Sequence, residues 1–201
     1  MARPRQFDED HAVVKATDLF WRRGYNATSV RDLGAELNLT PSSLYRTFTD
    51  KHTLFLRVLD HYRATESAQA ERWLESDGRP VRHVLRDWML WLVSCPPDAE
   101  PGRGCFVVNT ATELGVTDAQ VAERTEAAFE VTRQALRSLL VEGRSKGELS
   151  TDLDIDAAVE LLFTTVLGLR VRERADHDHA RLTMAIDAAI RVLGPAPTTT
   201  P

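Results

Sequence analysis

The chain of 201 residues is 43% apolar and 27% charged, with a net charge of −5, so it has room for one domain or a small one joined to a larger, and enough apolar residues for a core. No apolar run approaches the ~18 residues of a membrane span, and the opening MARPRQFDED is charged rather than leader-like, which points to a cytoplasmic protein with no membrane partner. Residues 1–63 hold 10 Lys and Arg against 8 Asp and Glu, and residues 64–201 hold 15 against 22; this excludes a polybasic chain but leaves a slightly basic N-terminal end and an acidic remainder turned from phosphate.

Met1–Gln6, with Arg3 and Arg5, shows no periodicity and reads as a solvated arm, an arm reaching a minor groove being the alternative. A first helix is expected from about Asp8 to Arg23. Ala12, Ala16, Leu19 and Phe20 would face inward, Arg22 and Arg23 would meet the negative end of its dipole, and Gly24 would close it. The stretch TSVRDLGAELNLTPSSLYRTFTDK, Thr28 to Lys51, reads as two short helices and a tight turn, and Tyr25 should pack against this motif. Ser29 can cap the first of the two helices, with Asp32 reaching back as an acidic capping-box variant. Val30, Leu33 and Leu37 give one buried stripe. Asn38 tolerates the left-handed conformation of a sharp turn, Thr40 caps the next helix, and Pro41 takes its first position. Leu44 and Phe48 turn inward, which leaves Ser42, Ser43, Tyr45, Arg46 and Thr47 largely outside. Gly34, costly inside a helix by ~1 kcal/mol, suggests close approach of the third helix.

Asp50 should cap a fourth helix that continues to about Ser76, its apolar stripe being Leu54, Phe55, Val58, Leu59 and Tyr62. Gly78-Arg79-Pro80 then breaks the chain. A fifth helix spans about Val81 to Ser94, followed by the loop CPPDAEPGRG. A sixth begins near Cys105 and ends at Gly115, and a seventh runs from Thr117 or Asp118 to Gly147. An eighth, opened by Asp152 or Asp154, is apolar nearly all round before Arg170, and a ninth runs from about His179 to Leu193. The tail GPAPTTTP, 195–201 after Gly194, reads as disordered. The expected fold is all-α, with about nine helices: an N-terminal three-helix helix-turn-helix domain, 1–63, with the fourth helix from about 50 to 76 as connector, and a C-terminal helical domain, 79–194. A helix apolar on every side must be covered on every side, so the eighth and ninth helices, about 154–193, are expected to form a two-fold homodimer, the alternative being a helix sandwiched inside a monomer core.

The run DEDHAVVKATDLFWRRGYNATSVRDLGAELNLTPSSLYRTFTDKHTLFLRVLDHY resembles the DNA-binding domain of the TetR/AcrR family of transcriptional repressors. The likeness covers about the first third of the chain: a first helix ending in RRGY, then TSVRDL, then SSLYRTFTDK, with Asn38 where the family usually has Gly. The remainder is similar in helix count and order. The resemblance implies a repressor that binds a palindromic double-stranded operator as a homodimer, and it implies residue roles. Ser29 would bind a phosphate, Arg31 would reach a base edge or phosphate, and Thr40, Ser42, Ser43, Tyr45 and Arg46 would lie at the groove or its walls. Lys51 would hold a phosphate. The chemistry agrees, since hydroxyls and helix amino-termini position a protein on DNA while Arg can read guanine.

Family members are generally released by a small molecule held among the fifth to eighth helices, which implies an apolar or aromatic effector. The candidates are Trp88, Met89, Trp91, Leu92, Phe106, Asn109, Thr110, Glu113, Phe129 and Phe163. Asn109 and Glu113 are four apart and share a helix face; if that face is inward they are the polar anchors, the alternative being that the Trp residues are core and Asn109 and Glu113 cap or face water. Cys105 offers a rival: it opens the sixth helix beside Arg103, where a lowered pKa would allow oxidation or a bond with Cys95 to release DNA. A small buried cysteine is the bland alternative. No catalytic grouping, phosphate loop or paired-ligand His motif is present, and only His177 and His179 cluster. An enzyme, or a helical adaptor without DNA binding, is therefore the weaker reading, and no cofactor or metal is expected.

Overall fold

The structure, a computed structural model, describes residues 9–94, 103–175 and 178–194. The arm with Arg3 and Arg5, the loop residue Cys95, His177 and the tail 195–201 lie outside the described residues. Among the described residues every regular element is helical: α1 Glu9–Arg23, α2 Val30–Leu37, α3 Pro41–Phe48, α4 Lys51–Tyr62, a π-helical turn Arg63–Ser67, α5 Ala68–Trp73, α6 Val81–Val93, α7 Phe106–Leu114, α8 Ala119–Ser145, α9 Ile155–Ala175 and α10 His179–Arg191. α4, the π turn and α5 follow one another without a break, so the expected fourth helix contains a register shift and ends at Trp73 rather than Ser76. No described helix is long and apolar enough to cross a membrane.

The described residues fall into two compact units. The first holds the chain up to Thr65 and, in addition, Asn109–Glu126; the second holds Glu66–Val108 and the chain from Ala127 onward. This differs from the expected division at 63 and 79, and the reason is specific. Glu113 near the end of α7 bonds to the turn after α1, and Asp118 just before α8 bonds to His52 of α4.

In the first unit α1 packs on α2 and α4, and α3 on its neighbours α2 and α4. Phe20, Leu33, Leu44, Phe48 and Leu54 are fully buried, each contributing ~2–3 kcal/mol of transfer free energy. Phe20 meets Phe55 edge-on with centroids 4.9 Å apart, and Tyr25 packs on Phe55 at 4.7 Å. Val30 is only half-buried, so the α2 stripe reduces to Leu33, Gly34 and Leu37.

In the second unit α6, α9 and α10 pack mutually around Val84, Leu85, Trp88, Met89, Leu162, Val166, Leu182 and Ile186, with Leu136, Leu139 and Leu140 of α8 in the same core. Helix ends are tied by long-range polar contacts. The amide of Val81 donates to Glu148 at 2.7 Å, standing in for the cap that Pro80 cannot provide, and Arg82 donates to the terminal carbonyls of Ile190 and Leu193. α9 is not covered all round. Ala157, Leu161, Thr164, Gly168, Val171 and Ala175, spaced by four and three, are exposed.

Candidate nucleic-acid interface

The local logic of the first unit begins at Ser29. Its hydroxyl accepts from the amide of Asp32 at 3.1 Å, and the Asp32 carboxylate accepts from the Ser29 amide at 2.9 Å, a complete capping box. The Ser29 hydroxyl and amide, then Arg23, hold the Asp32 carboxyl below its ordinary range. Arg23 bonds Asp32 at 3.0 Å and thereby ties the end of α1 to the start of α2. Asn38 closes α2 with φ 54° and ψ 44°, the left-handed conformation its amide side chain tolerates. A Cβ on Gly34 would stand 2.9 Å from the carbonyl oxygen of Leu39. It is therefore the turn backbone, not a side chain of the third helix, that excludes one there.

Thr40 caps α3 through the Ser43 amide, and its hydroxyl also meets those of Ser42 and Ser43 at 3.0 and 3.1 Å. Ser42, Tyr45 and Arg46 are exposed, Tyr45 by 49%, and so is Arg31 on α2. Ser43 and Thr47 are half-buried, with the Thr47 hydroxyl donating to the Ser43 carbonyl. α3 thus offers a face of hydroxyls, one phenol and one guanidinium, with Leu44 and Phe48 beneath it. Its end is held tightly. Thr49 takes φ 66° and ψ −56° while the Asp50 amide donates to the Phe48 carbonyl at 2.7 Å, a γ-turn of the strained hand at a β-branched residue. Asp50 then caps α4, and the Thr53 amide holds its carboxyl below the usual range.

Lys51 is engaged within the protein. Its ammonium donates to the carbonyls of Tyr25 at 2.9 Å and Thr28 at 2.8 Å and lies 4.0 Å over the Tyr25 ring. Burial pushes its pKa down, and the nearby charge of Glu113 opposes that. Glu113 differs most from expectation. Rather than sharing a ligand-facing surface with Asn109, its carboxylate accepts from the amides of Tyr25 at 3.0 Å and Asn26 at 2.8 Å. Next to it, His52 Nε2 and Asp118 meet at 2.7 Å. Burial alone would raise the Asp118 pKa, but the amide of Val121 and His52 outweigh it, so the carboxyl lies low. Neither long-range contact was legible in advance, because 88 residues separate Tyr25 from Glu113 and 66 separate His52 from Asp118.

The other effector candidates are divided between the units. Trp88, Met89, Phe106 and Phe163 are buried in the second unit, Leu92 and Phe129 half-buried, and Phe129 meets Phe163 edge-on at 5.5 Å. Trp91, by contrast, is 37% exposed and stacks on Trp73. Asn109 and Thr110 fall in the first unit with Glu113. Cys105 is partly buried just before α7. Among the described residues no group of three or more His, Cys, Asp and Glu side chains is placed to hold a metal ion.

A capped two-helix motif with a hydroxyl- and Arg-bearing outer helix, packed on a third, defines a helix-turn-helix DNA-binding regulator. The chain belongs to the TetR family of bacterial regulatory proteins: that family's model matches residues 13–58 and the tetracyclin repressor-like C-terminal domain matches residues 78–189. It is a regulator, not an enzyme. It is 28% identical over 190 residues to the HTH-type transcriptional repressor ComR of Escherichia coli, covering 94% of this chain and 90% of that protein. To the uncharacterized regulator YezE of Bacillus subtilis it is 29% identical, covering 96% and 100%. Among solved structures, a cysteine mutant of the TetR family regulator CifR complexed with 26 bp double-strand operator DNA superposes with a TM-score of 0.80 at 29% identity, over 94% of this chain and 98% of that one.

Proposed function

We propose that the chain is a transcriptional repressor that binds a palindromic operator as a homodimer and releases it when a small apolar or aromatic effector binds. The observation that carries this is the outer face of α3. Ser42, Tyr45 and Arg46 stand exposed on a helix capped by Thr40 and anchored by the buried Leu44 and Phe48. Hydroxyls and the amino-terminus of α3 suit phosphate, and Arg46 and Arg31 suit phosphate or guanine edges. The relative ComR is a repressor and the CifR structure holds operator DNA, which supports the same reading here.

Two copies are needed because one head offers a single short reading helix. The open stripe of α9, the exposed Met184 and Ala188 of α10 and Val192 just after it supply an apolar surface for a two-fold contact. The two α3 helices would then meet successive major grooves ~34–36 Å apart. For the effector, Trp88, Met89, Leu92, Phe106, Phe129 and Phe163 are the support. Among the described residues the buried Trp88 Nε1 has no hydrogen-bond partner, a deficit of ~1–3 kcal/mol that an effector carrying an acceptor would remove. Such an effector acts only by binding the released state more tightly than the DNA-bound one.

Selection of duplexes from a randomised pool tests the reading. A two-fold symmetric sequence should be enriched and should then outcompete random duplex in a gel shift. Enrichment of nothing over the random pool would overturn it.

A further inference from the structure

We propose that Glu113, which lies outside the helix-turn-helix, is a positioning residue for operator binding: with Lys51 it clasps the Tyr25–Thr28 turn and so sets how α2 and α3 are presented. This rests on the DNA-binding reading above.

The clasp closes on one peptide group. The Tyr25 carbonyl accepts from the Lys51 ammonium, while the Asn26 amide of the same peptide donates to Glu113 Oε1. Glu113 Oε2 takes the Tyr25 amide as well, and Lys51 also takes the Thr28 carbonyl, one residue before the α2 cap. The partners are a carboxylate and an ammonium, so these are the stronger class of hydrogen bond, and each polarises the peptide in favour of the other. The turn itself is closed by the Thr28 amide on the Tyr25 carbonyl at 3.2 Å. Gly24 makes room for the clasp: with φ +81° it takes a conformation that suits glycine, and a Cβ there would stand 2.9 Å from Glu113 Oε2. Neither Glu113 nor the turn belongs to α2 or α3, yet the turn is all that joins α1 to α2.

The sign of the effect separates this role from a bulk charge effect. Removing a carboxylate from a protein that approaches a polyanion should tighten binding or leave it unchanged. Loss of the clasp should weaken it. The test titrates full-length protein with the duplex that the wild type selects from a randomised pool, and with random duplex, at several salt concentrations. Glu113→Gln is expected to raise the dissociation constant for the selected duplex about tenfold, with the salt slope and the random-duplex affinity unchanged. Glu123→Gln, an exposed carboxylate on α8, should bind as tightly as wild type or more so. Glu113→Asp, which keeps the charge and loses one methylene of reach, should fall between, and it carries the test if Glu113→Gln melts below the assay temperature. Lys51→Met combined with Glu113→Gln should cost less than the product of the two single losses, because both hold the same peptide. Binding by Glu113→Gln as tight as wild type, an equal loss on random duplex, or multiplicative losses in the pair would each overturn the proposal. If the wild type selects no duplex, the regulator reading falls first; a selecting wild type with an indifferent Glu113→Gln sinks the clasp alone.

Discussion

Asp118 has two tasks at once: one carboxylate oxygen accepts from the amides of Gln120 and Val121, and the other meets His52. Its pKa is depressed, so the stability it confers is complete above the ordinary carboxylate value of 3.8 and is lost as pH falls through the lower folded value. Asn can keep the amide contacts but not the charge. Asp118→Asn should therefore cost ~0.5–1 kcal/mol at pH 6 and much less at pH 3, as read by thermal melts at the two values; an equal loss at both would refute the ionic part. Contacts of this reach explain what the sequence could and could not disclose. The caps Ser29 with Asp32, Thr40 with Ser43 and Asp50 with Thr53 each close within three residues, so residue type and spacing were enough. Glu113 shares a helix face with Asn109, and spacing cannot tell a carboxylate facing a ligand from one bonded to backbone. Only the fold could show that two backbone amides compete for it. Lys51 was legible as a cation at the start of α4, but not as one whose protons are spent on Tyr25 and Thr28.

At the scale of helices, hydrophobic period and caps recovered nearly every element, including the starts of α2, α3 and α4 and the ends at Asn38 and Gly147. The π turn Arg63–Ser67 leaves no mark in the sequence, since RATES continues an ordinary helical pattern. Thr49 was hidden too, because a β-branched residue is a poor signal for positive φ. Gly34 stands out inside a helical pattern, but the structure gives it the Leu39 carbonyl rather than the third helix as its reason. Gly34→Ala improves helix propensity by ~1 kcal/mol, yet its methyl would press on the Leu39 carbonyl, a backbone atom fixed by its own amide's bond to Gly34 at 2.9 Å. A net destabilisation of about 1–2 kcal/mol is expected, visible as a lower midpoint in urea. A stabilised variant would show that the turn can give way.

For the molecule as a whole, the apolar surface of α9 and α10 is the one proposed for the two-fold contact. Leu161 is 45% exposed and Met184 62% exposed in the single chain, so replacing either should hardly disturb the fold of one copy. Leu161→Glu would place a charge within the proposed apolar contact. It should convert a dimer to a monomer in sedimentation and weaken operator binding by more than tenfold, because two coupled heads become one. An unchanged mass would move the interface elsewhere. The all-helical class and the division into a reading head and a helical body were readable from the order of the segments. The true membership of the head was not, since Asn109–Glu126 joins it from the far side of a long stretch of chain.

That non-contiguous membership bears on anyone who would splice this regulator. A hybrid cut at residue 65 would transplant the four opening helices without the later stretch, leaving the Tyr25 and Asn26 amides unanswered and His52 bereft of Asp118. The portable unit is the opening segment carried together with 109–126, and an exchange of reading heads between relatives would have to move both pieces at once.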